Sequence, residues 1–409
     1  MSYKPSSKLI IITTHPIQYQ VPLWQALAQD GRVPFEVWFL TRHGLDQSHD
    51  VDFAKTFAWD IDLLSGYEYR FLQTARKASP ASFWRCRLTE RLRDRLRDVS
   101  AKFVWIQGWQ VAAYWQAVLE AKAIGAQVWL RAESNDLSRS SRWKRPLKRV
   151  VLAELFRRVD AALYIGSANR RLYEHYGLPP NRVHPAPYAV DNARFTLQAA
   201  ALRGERVMLR KRWGIPQRAF CILFCGKFIG KKRPMDLVQA ASMLRRKLGP
   251  EQVVHLLFVG SGELEAPLRA ACQVVEAHSK VNSADPRPPA TFAGFLNQRE
   301  ISRAYVAADC LVLPSDAGET WGLVVNEALA SGLPCVVSDA CGCAEDLVPA
   351  VDPRLVYPCG DVWALVNALT TTLSLVPDRI QLESALADHR FETTVATVAR
   401  LAGAEGQRN

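Results

Sequence analysis

The sequence predicts an α/β protein made of two doubly wound, Rossmann-like domains that face a cleft. Three observations carry that expectation. The chain has 409 residues, about twice what one hydrophobic core usually supports. Short apolar, β-branched runs alternate with longer amphipathic segments from end to end, and the runs are near-continuously apolar, as in parallel strands covered on both faces. The alternation breaks once, near residue 200.

In the first half, Leu9–Thr13, Phe35–Leu40, Phe103–Ile106, Val128–Leu130 and Ala161–Ile165 read as strands. Val21–Gln29, Leu88–Val99, Val111–Ala123 and Pro146–Phe156 have helical spacing. In the second half, Phe220–Cys225, Val253–Val259, Cys310–Leu313, Cys335–Ser338 and Leu355–Tyr357 read as strands, and Met235–Leu248, Ile301–Ala307, Leu323–Ala330 and Val362–Leu373 as helices. Leu197–Arg212 has no strand character, and Lys280–Pro289, with three prolines, reads as a loop. The expected division is a first domain over 1–200, a linker over 201–213, a second domain over 214–375, and a helical segment over 376–409 packing back toward the first domain.

Composition narrows the class. Hydrophobic residues make 49% and charged residues 22% of the chain, which excludes a disordered or fibrous protein. Lys and Arg number 52 against 40 Asp and Glu, a net +12. Residues 1–200 hold 29 cations and 18 anions (+11), and residues 201–409 hold 23 and 22 (+1). A basic half suggests an anionic partner: nucleic acid, lipid headgroups or a phosphorylated substrate. Met1–Ser7 lacks the apolar region of a signal peptide. The apolar stretch Phe103–Leu130 is interrupted by Gln107, Gln110, Gln116, Glu120, Lys122 and Gln127, so no membrane span is expected. The nine cysteines show no C-x-x-C, and neither Cys221/Cys225 nor Cys341/Cys343 has a His/Cys partner pair. Reduced thiols in a cytoplasmic protein, with no metal site, are expected.

Ligands of open parallel sheets bind beyond the carboxyl ends of the strands, so the residues that follow each strand matter. After Phe220–Cys225 comes Gly226-Lys227-Phe228-Ile229-Gly230-Lys231-Lys232-Arg233, before a helix at Pro234. Glycines, cations and a helix start suit a phosphate; a solvated basic loop is the equal alternative. After Cys310–Leu313 comes Pro314-Ser315-Asp316-Ala317-Gly318-Glu319-Thr320-Trp321-Gly322, then a helix carrying Glu327 one turn in. A carboxylate on such a helix needs a partner, either sugar or ribose hydroxyls or a structural cation.

The order Gly226-Lys227-x4-Lys232, Gly260-Ser261-Gly262-Glu263, Pro314-Ser315, Glu319-x7-Glu327-Ala328 and Gly342-Cys343-Ala344-Glu345 resembles the family-4 retaining glycosyltransferases, glycosyl transferases group 1, of the two-Rossmann-domain GT-B type. The resemblance is dense from Phe220 to Leu347 and sparse before Asp160. It implies transfer of a sugar from a nucleoside-diphosphate sugar to a glycan, lipid-linked or cell-surface polysaccharide acceptor, with the acceptor mainly on the first domain and the donor on the second. It implies that Lys227 and Lys232 grip the diphosphate; most members have Arg where Lys227 stands, so a bidentate contact becomes a point charge. Glu319 falls on the residue that contacts the transferred sugar, and Glu327 on the one that holds the ribose. Gly226, Gly260 and the segment Thr320, Trp321, Gly322, Leu323 and Val324 fall on the donor loops. Gly294, Phe295 and Leu296 match the segment passing over the base. Cations and helix amides around the diphosphate leave no need for a metal or other cofactor.

The first domain is read more openly. His15 follows the first strand, in Thr13-Thr14-His15-Pro16-Ile17-Gln18, and is either a sugar or acceptor contact, with Gln18, or a helix-capping loop residue. Members commonly have a glycine-rich turn here; this chain has none, which also argues against a dinucleotide fold. Gln107 and Trp109 occupy the place of a histidine found in many members. Arg131 and Glu133 also follow a strand, as acceptor contacts or, the favoured alternative, as a structural ion pair. The cluster Arg85, Arg87, Arg91, Arg93, Arg95, Arg97 on a helix-like stretch, and Arg139, Arg142, Trp143, Lys144, Arg145, Lys148, Arg149, suit an anionic membrane surface. No nucleic-acid motif accompanies them, so nucleic acid is not expected. A nucleotide-sugar epimerase or hydrolase on the same architecture is an alternative reading. Asp50-x-Asp52 and Asp60-x-Asp62 are the pairs a metal-dependent transferase would use, and they fit neither the strand order nor the later motifs.

Overall fold

The computed structural model describes residues 8–45, 48–50, 55–57, 59–137, 145–276, 281–282, 285–375 and 378–404. The chain divides into two compact units. One comprises the residues up to Ser48, Ile61–Tyr188 and Arg390 onward; the other comprises His49–Asp60 and Ala189–His389. Up to Tyr188 the elements are β1 (Lys8–Thr13), α1 (Val21–Asp30), β2 (Phe35–Phe39), a short pair β3 (Ser48–Asp50) and β4 (Lys55–Phe57), β5 (Tyr69–Phe71), α2 (Leu92–Asp98), β6 (Ala101–Ile106), α3 (Ala112–Ala123), β7 (Gln127–Leu130), α4 (Arg145–Phe156), β8 (Ala161–Tyr164), α5 (Ser167–His175) and β9 (Val183–Pro185). The first sheet is parallel, in the order β5-β2-β1-β6-β7-β8-β9. Leu9 to Ile12 are fully buried, as a strand covered by helices on both faces must be. Bulky side chains fill the layers beside them, with Trp24 edge to face on Trp105 at 5.5 Å.

From Ala189 the elements are α6 (Asn192–Leu202), α7 (Arg206–Arg212), β10 (Phe220–Cys225), α8 (Pro234–Leu248), β11 (Val254–Val259), α9 (Glu265–Ala271), β12 (Gln273–Val274), β13 (Pro289–Gly294), α10 (Ser302–Ala307), β14 (Cys310–Leu313), α11 (Leu323–Ala330), β15 (Cys335–Ser338), α12 (Ala344–Leu347), β16 (Val356–Tyr357), α13 (Val362–Ser374), α14 (Arg379–Ala385) and α15 (Phe391–Leu401). The second sheet is also parallel, in the order β12-β13-β11-β10-β14-β15-β16. The α/β two-domain architecture expected from the alternating pattern is therefore present. Helix α15 lies within the first unit, against α1 and β9.

Several details differ from the sequence expectation. β13 begins where a proline-rich loop was expected, because Pro289 is its first residue, where a missing N–H costs no ladder bond. The stretch expected as a linker is helical and belongs to the second unit, whose main segment begins at Ala189. Helices α6 and α7 bury Phe195, Ala199 and Leu209, and two of the arginines of α7 are anchored. Arg206 and Arg210 reach the two oxygens of Asp309 at 2.6 and 2.7 Å. Arg210, 3% exposed, also donates to the carbonyl of Ala307 at 2.9 Å, and the amide of Cys221 at the start of β10 donates to Asp309 at 2.7 Å. Only Leu92–Asp98 of the arginine-rich 85–97 stretch is helical; Arg85 to Arg91 precede the helix.

Strand order reverses between β1 and β6 in one sheet and between β10 and β14 in the other. Those are the points where connections leave in opposite directions and open a crevice. Four of the sequence motifs therefore sit at switch points. Asp309 carries the packing beneath the second one. Asp309→Ala should cost ~3 kcal/mol or more by leaving a buried guanidinium uncompensated, read as a lowered urea midpoint.

Candidate active site

In the second unit the loops after β10, β11 and β13 are laid on one another. The amide of Gly226 donates to Val259 at 2.9 Å, that of Gly260 to Gly294 at 2.8 Å and that of Phe228 to Ser261 at 2.9 Å. Gly260 has φ of +130°, and a Cβ there would stand 1.9 Å from the carbonyl oxygen of Gly226, so only glycine closes this contact. Gly226 itself faces open space, which leaves its backbone approachable. Lys227 sits half-buried one residue on.

The β10 loop then meets the loop that follows β14. The amide of Asp316 donates to the carbonyl of Lys231 at 2.9 Å, and the Lys232 ammonium pairs with the Glu319 carboxylate. Both side chains are mostly buried, 16% and 14% exposed. The sequence gives these two residues separate tasks; the structure places them on each other. The Ser315 hydroxyl lies 3.4 Å from the same Glu319 oxygen. Behind them, Gly342 abuts the carbonyl of Thr320, where a Cβ would come within 2.0 Å, and its amide donates to the Glu319 carbonyl at 3.3 Å. Gly322, at φ +109°, caps α11 against Leu313, so the amides of Leu323 and Val324 are the first-turn donors of that helix.

Two expected contacts take a different form. The Trp321 side chain is 2% exposed; its indole N–H donates to Asn326 at 2.8 Å and its ring lies tilted against that of His389 at 5.2 Å. Its side chain is therefore packed into the fold. Glu327 already has protein partners. The Tyr305 hydroxyl donates to it at 2.5 Å, the Gln298 side chain also hydrogen-bonds it, and Arg194 lies within its electrostatic reach. Arg194 in turn holds the side-chain oxygen and the carbonyl of Gln298 at 2.7 and 3.0 Å. Burial pushes the Glu327 carboxyl up, and the Tyr305 hydroxyl, then Arg194 and Gln298, pull it back. Tyr305, Gln298 and Arg194 were missed from sequence, because α6, the loop after β13 and α10 carry no motif. The one signal was a phenol on the buried face of α10. Phe295 and Leu296 are half-buried after Gly294, with the Phe295 ring 6.3 Å from Trp59.

In the first unit the switch point brings the ends of β1 and β6 together. His15 Nδ1 is 2.9 Å from the Thr14 hydroxyl, and its ring meets that of His43 edge-on at 5.0 Å. Burial, and secondarily His43, lowers its pKa to about 4, so it is neutral at pH 7. Gln18 is half-buried nearby in the chain. Gln107 is 8% exposed, and its amide nitrogen is buried without a hydrogen-bond partner, the pattern of a polar group facing a ligand space. Trp109 packs on Phe156 at 5.9 Å as part of the apolar core. Arg131 and Glu133 do not form the expected direct ion pair. Arg131, buried, donates to the carbonyls of Ala186 and Pro187 at 3.2 and 3.3 Å and lies over the Tyr188 ring at 4.7 Å, whose hydroxyl binds Glu133. Both residues thus touch Tyr188, and their charges still attract one another.

Of the carboxylate pairs, Asp60 accepts the amide of Arg299 at 3.1 Å, Asp62 accepts that of Leu64 at 3.0 Å, and Asp52 lies outside the described residues. Among the described residues no group of three or more His, Cys, Asp or Glu could hold a metal ion, and no helix is long and apolar enough to cross a membrane. Arg139, Arg142, Trp143 and Lys144 also lie outside the described residues.

Residues 206–385 match the glycosyl transferases group 1 family. A D-inositol 3-phosphate glycosyltransferase of Pseudarthrobacter chlorophenolicus is 34% identical over 169 residues, 41% of this chain and 36% of that one. One from Salinispora arenicola is 30% identical over 216 residues, 51% and 44% of the two chains. The matched stretch thus spans less than half the length of either relative. Among solved structures, Anabaena HepE in complex with UDP and glucose superposes with a TM-score of 0.64 at 13% identity, over 97% of this chain and 99% of that one. A UDP-forming α,α-trehalose-phosphate synthase from Burkholderia vietnamiensis superposes at 0.68 and 14% identity, over 97% and 98%. The family match thus covers residues 206–385, and over the whole chain the structural likeness shows the two-domain GT-B fold.

His15 makes this site's unit sensitive to acid. Its folded pKa lies below the unfolded value of 6.5, so its contribution is complete above about pH 6.5 and is lost as pH falls toward 4. Urea midpoints followed from pH 7 to pH 4.5 should fall less in His15→Gln than in the unchanged protein; parallel curves would refute the assignment.

Proposed function

We propose that this protein is a retaining, metal-independent glycosyltransferase that moves a sugar from a nucleoside-diphosphate sugar to a hydroxyl of a glycan, lipid-linked or cell-surface polysaccharide acceptor. The observation that carries the reading is the meeting of Lys232 and Glu319 at the β10/β14 switch point, beside an approachable glycine backbone and the first amides of α11. Expulsion of a diphosphate builds negative charge on a phosphate oxygen. Lys227, Lys232 and the amides of Leu323 and Val324 offer fixed positive charge for it. The acceptor oxygen forms the new bond to the anomeric carbon as the bond to the phosphate oxygen breaks, and that same oxygen takes the acceptor proton, so configuration is kept. Glu319 lies by the sugar as a positioning and stabilising group. Glu327 takes the ribose hydroxyls, and Phe295 and Leu296 flank the base.

His15, Gln18 and Gln107 serve the acceptor or the transferred sugar on the first unit. Arg131 and Trp109 support them from behind, and the positive charge of residues 1–200 serves an anionic membrane surface. The UDP bound by HepE, and the UDP formed by the trehalose-phosphate synthase, make uridine nucleotides the first to try.

Calorimetry across a panel of nucleotide sugars should find one that saturates, followed by transfer to an added acceptor. A panel without any saturable donor sinks the reading, and turnover without acceptor replaces it with an epimerase or hydrolase. Lys232→Ala and Glu319→Ala should each lower the transfer rate by ~10²–10³ with unchanged circular dichroism. Near-normal rates would reject their roles. Tyr305→Phe removes a bond that holds the Glu327 carboxyl down, so the acidic limb of donor affinity against pH should move to higher pH.

A further inference from the structure

Residues 76–91 join β5 to α2 in the first unit and carry an unusual surface. Phe83 and Trp84 stand in solvent, 37% and 77% exposed, edge to face on one another at 4.8 Å. The loop that presents them is tied down. The carbonyls of Phe83 and Cys86 accept the amides of Ala112 and Ala113 at the start of α3, at 3.0 and 2.9 Å. The amide of Leu88 donates to Gln116 at 2.8 Å, and Cys86 and Leu88 are buried beneath. Two neighbouring exposed aromatics on a fixed loop hold a joined apolar area in water, as a docking surface does.

The same loop carries Arg76, Lys77, Arg85, Arg87 and Arg91, all exposed. None of the five is in a salt bridge among the described residues. The neighbouring helix is the contrast: Arg93, Arg95 and Arg97 of α2 pair with Glu120, Glu90 and Asp94. Glu90, the acid within the loop, is already occupied by Arg95.

We infer that this loop docks the protein on an anionic lipid bilayer, with Phe83 and Trp84 entering the headgroup layer and the five cations meeting lipid phosphates. Amphipathic aromatics settle at the water–hydrocarbon boundary, and near-surface cations gain from the negative potential of the leaflet. A nucleic acid is served less well, because the two rings pack on each other and are not set out as parallel platforms for bases. The inference deepens the membrane part of the proposed function and is independent of the transfer chemistry.

The test is co-sedimentation of the full chain with phosphatidylcholine vesicles, with and without phosphatidylglycerol. The expected result is sedimentation only with phosphatidylglycerol present, weakening as salt rises. Phe83→Ala with Trp84→Ala should lower the partition coefficient roughly tenfold, and Arg85→Ala with Arg87→Ala by roughly tenfold or more. Arg354→Ala, an exposed cation of the second unit paired with Asp352 at 2.6 Å, should leave it unchanged. Circular dichroism on each variant separates loss of binding from loss of fold. No sedimentation with phosphatidylglycerol, equal sedimentation with neutral vesicles, or loop variants that bind normally would each overturn the inference. Retention of single-stranded RNA by the loop, with vesicles left unbound, would do so in favour of nucleic acid. Failure of every donor in the calorimetric panel would leave the vesicle result standing.

Discussion

Lys232 and Glu319 are 87 residues apart in the chain and hold opposite charges together with most of their side-chain surface out of water. Withdrawing two such charges from solvent costs several kcal/mol per ion, which mutual attraction offsets only when geometry is fixed. The surroundings of the pair supply that fixity. β10 and β14 are hydrogen-bonded neighbours, in register Ile222 with Cys310 and Leu223 with Leu311, so their following loops emerge side by side. Asp316 bonds to Lys231, Gly342 braces the Glu319 backbone, and Asp309 ties the start of the same two strands to α7. Most of what is built beneath the second sheet's switch point serves to keep one ion pair in place.

That dependence explains what a diphosphate would do there. In the proposed function, an anion entering beside Lys232 would compete with Glu319 for the ammonium and would release the carboxylate toward a sugar. The resting pair is then a charge-neutral placeholder, which spares the protein an uncompensated cation in a partly buried crevice. Glu327 is held by a different device. Its charge is opposed by burial and sustained by the Tyr305 phenol, the Arg194 guanidinium and the Gln298 side chain, so its protonation depends on residues in three other elements.

The parallel sheets were legible because β-branched runs such as Leu9–Thr13 and Val254–Val259 have no other way to bury both faces. The motifs after β10 and β14 were legible because glycine, lysine and glutamate were clustered at strand ends. Tyr305, Gln298 and Arg194 were hidden, since each lies in an element of ordinary composition and gains its meaning from the chain's return path. β13 was hidden by Pro289, which reads as a breaker until its place as a first residue is known. Arg131 and Glu133 were read as partners from spacing alone, and a tyrosine more than fifty residues away takes a contact from each. The arginine-rich stretch before and through α2 looked uniform in sequence; folding neutralises its helical part and leaves the loop part unpaired.

The glycine contacts have a consequence for how such a protein can change. At Gly260, Gly322 and Gly342 the space for a side chain is filled by another loop's carbonyl or by the leucine closing the strand above. The framework of the crevice is therefore stored in main chain, where nearly every substitution is lost at once. The groups proposed to face the base, Phe295 and Leu296, are ordinary side chains with no such restriction. Inheritance can redraw the ligand preference of this crevice freely while its outline stays frozen, and descendants should diverge in what they recognise long before they diverge in shape.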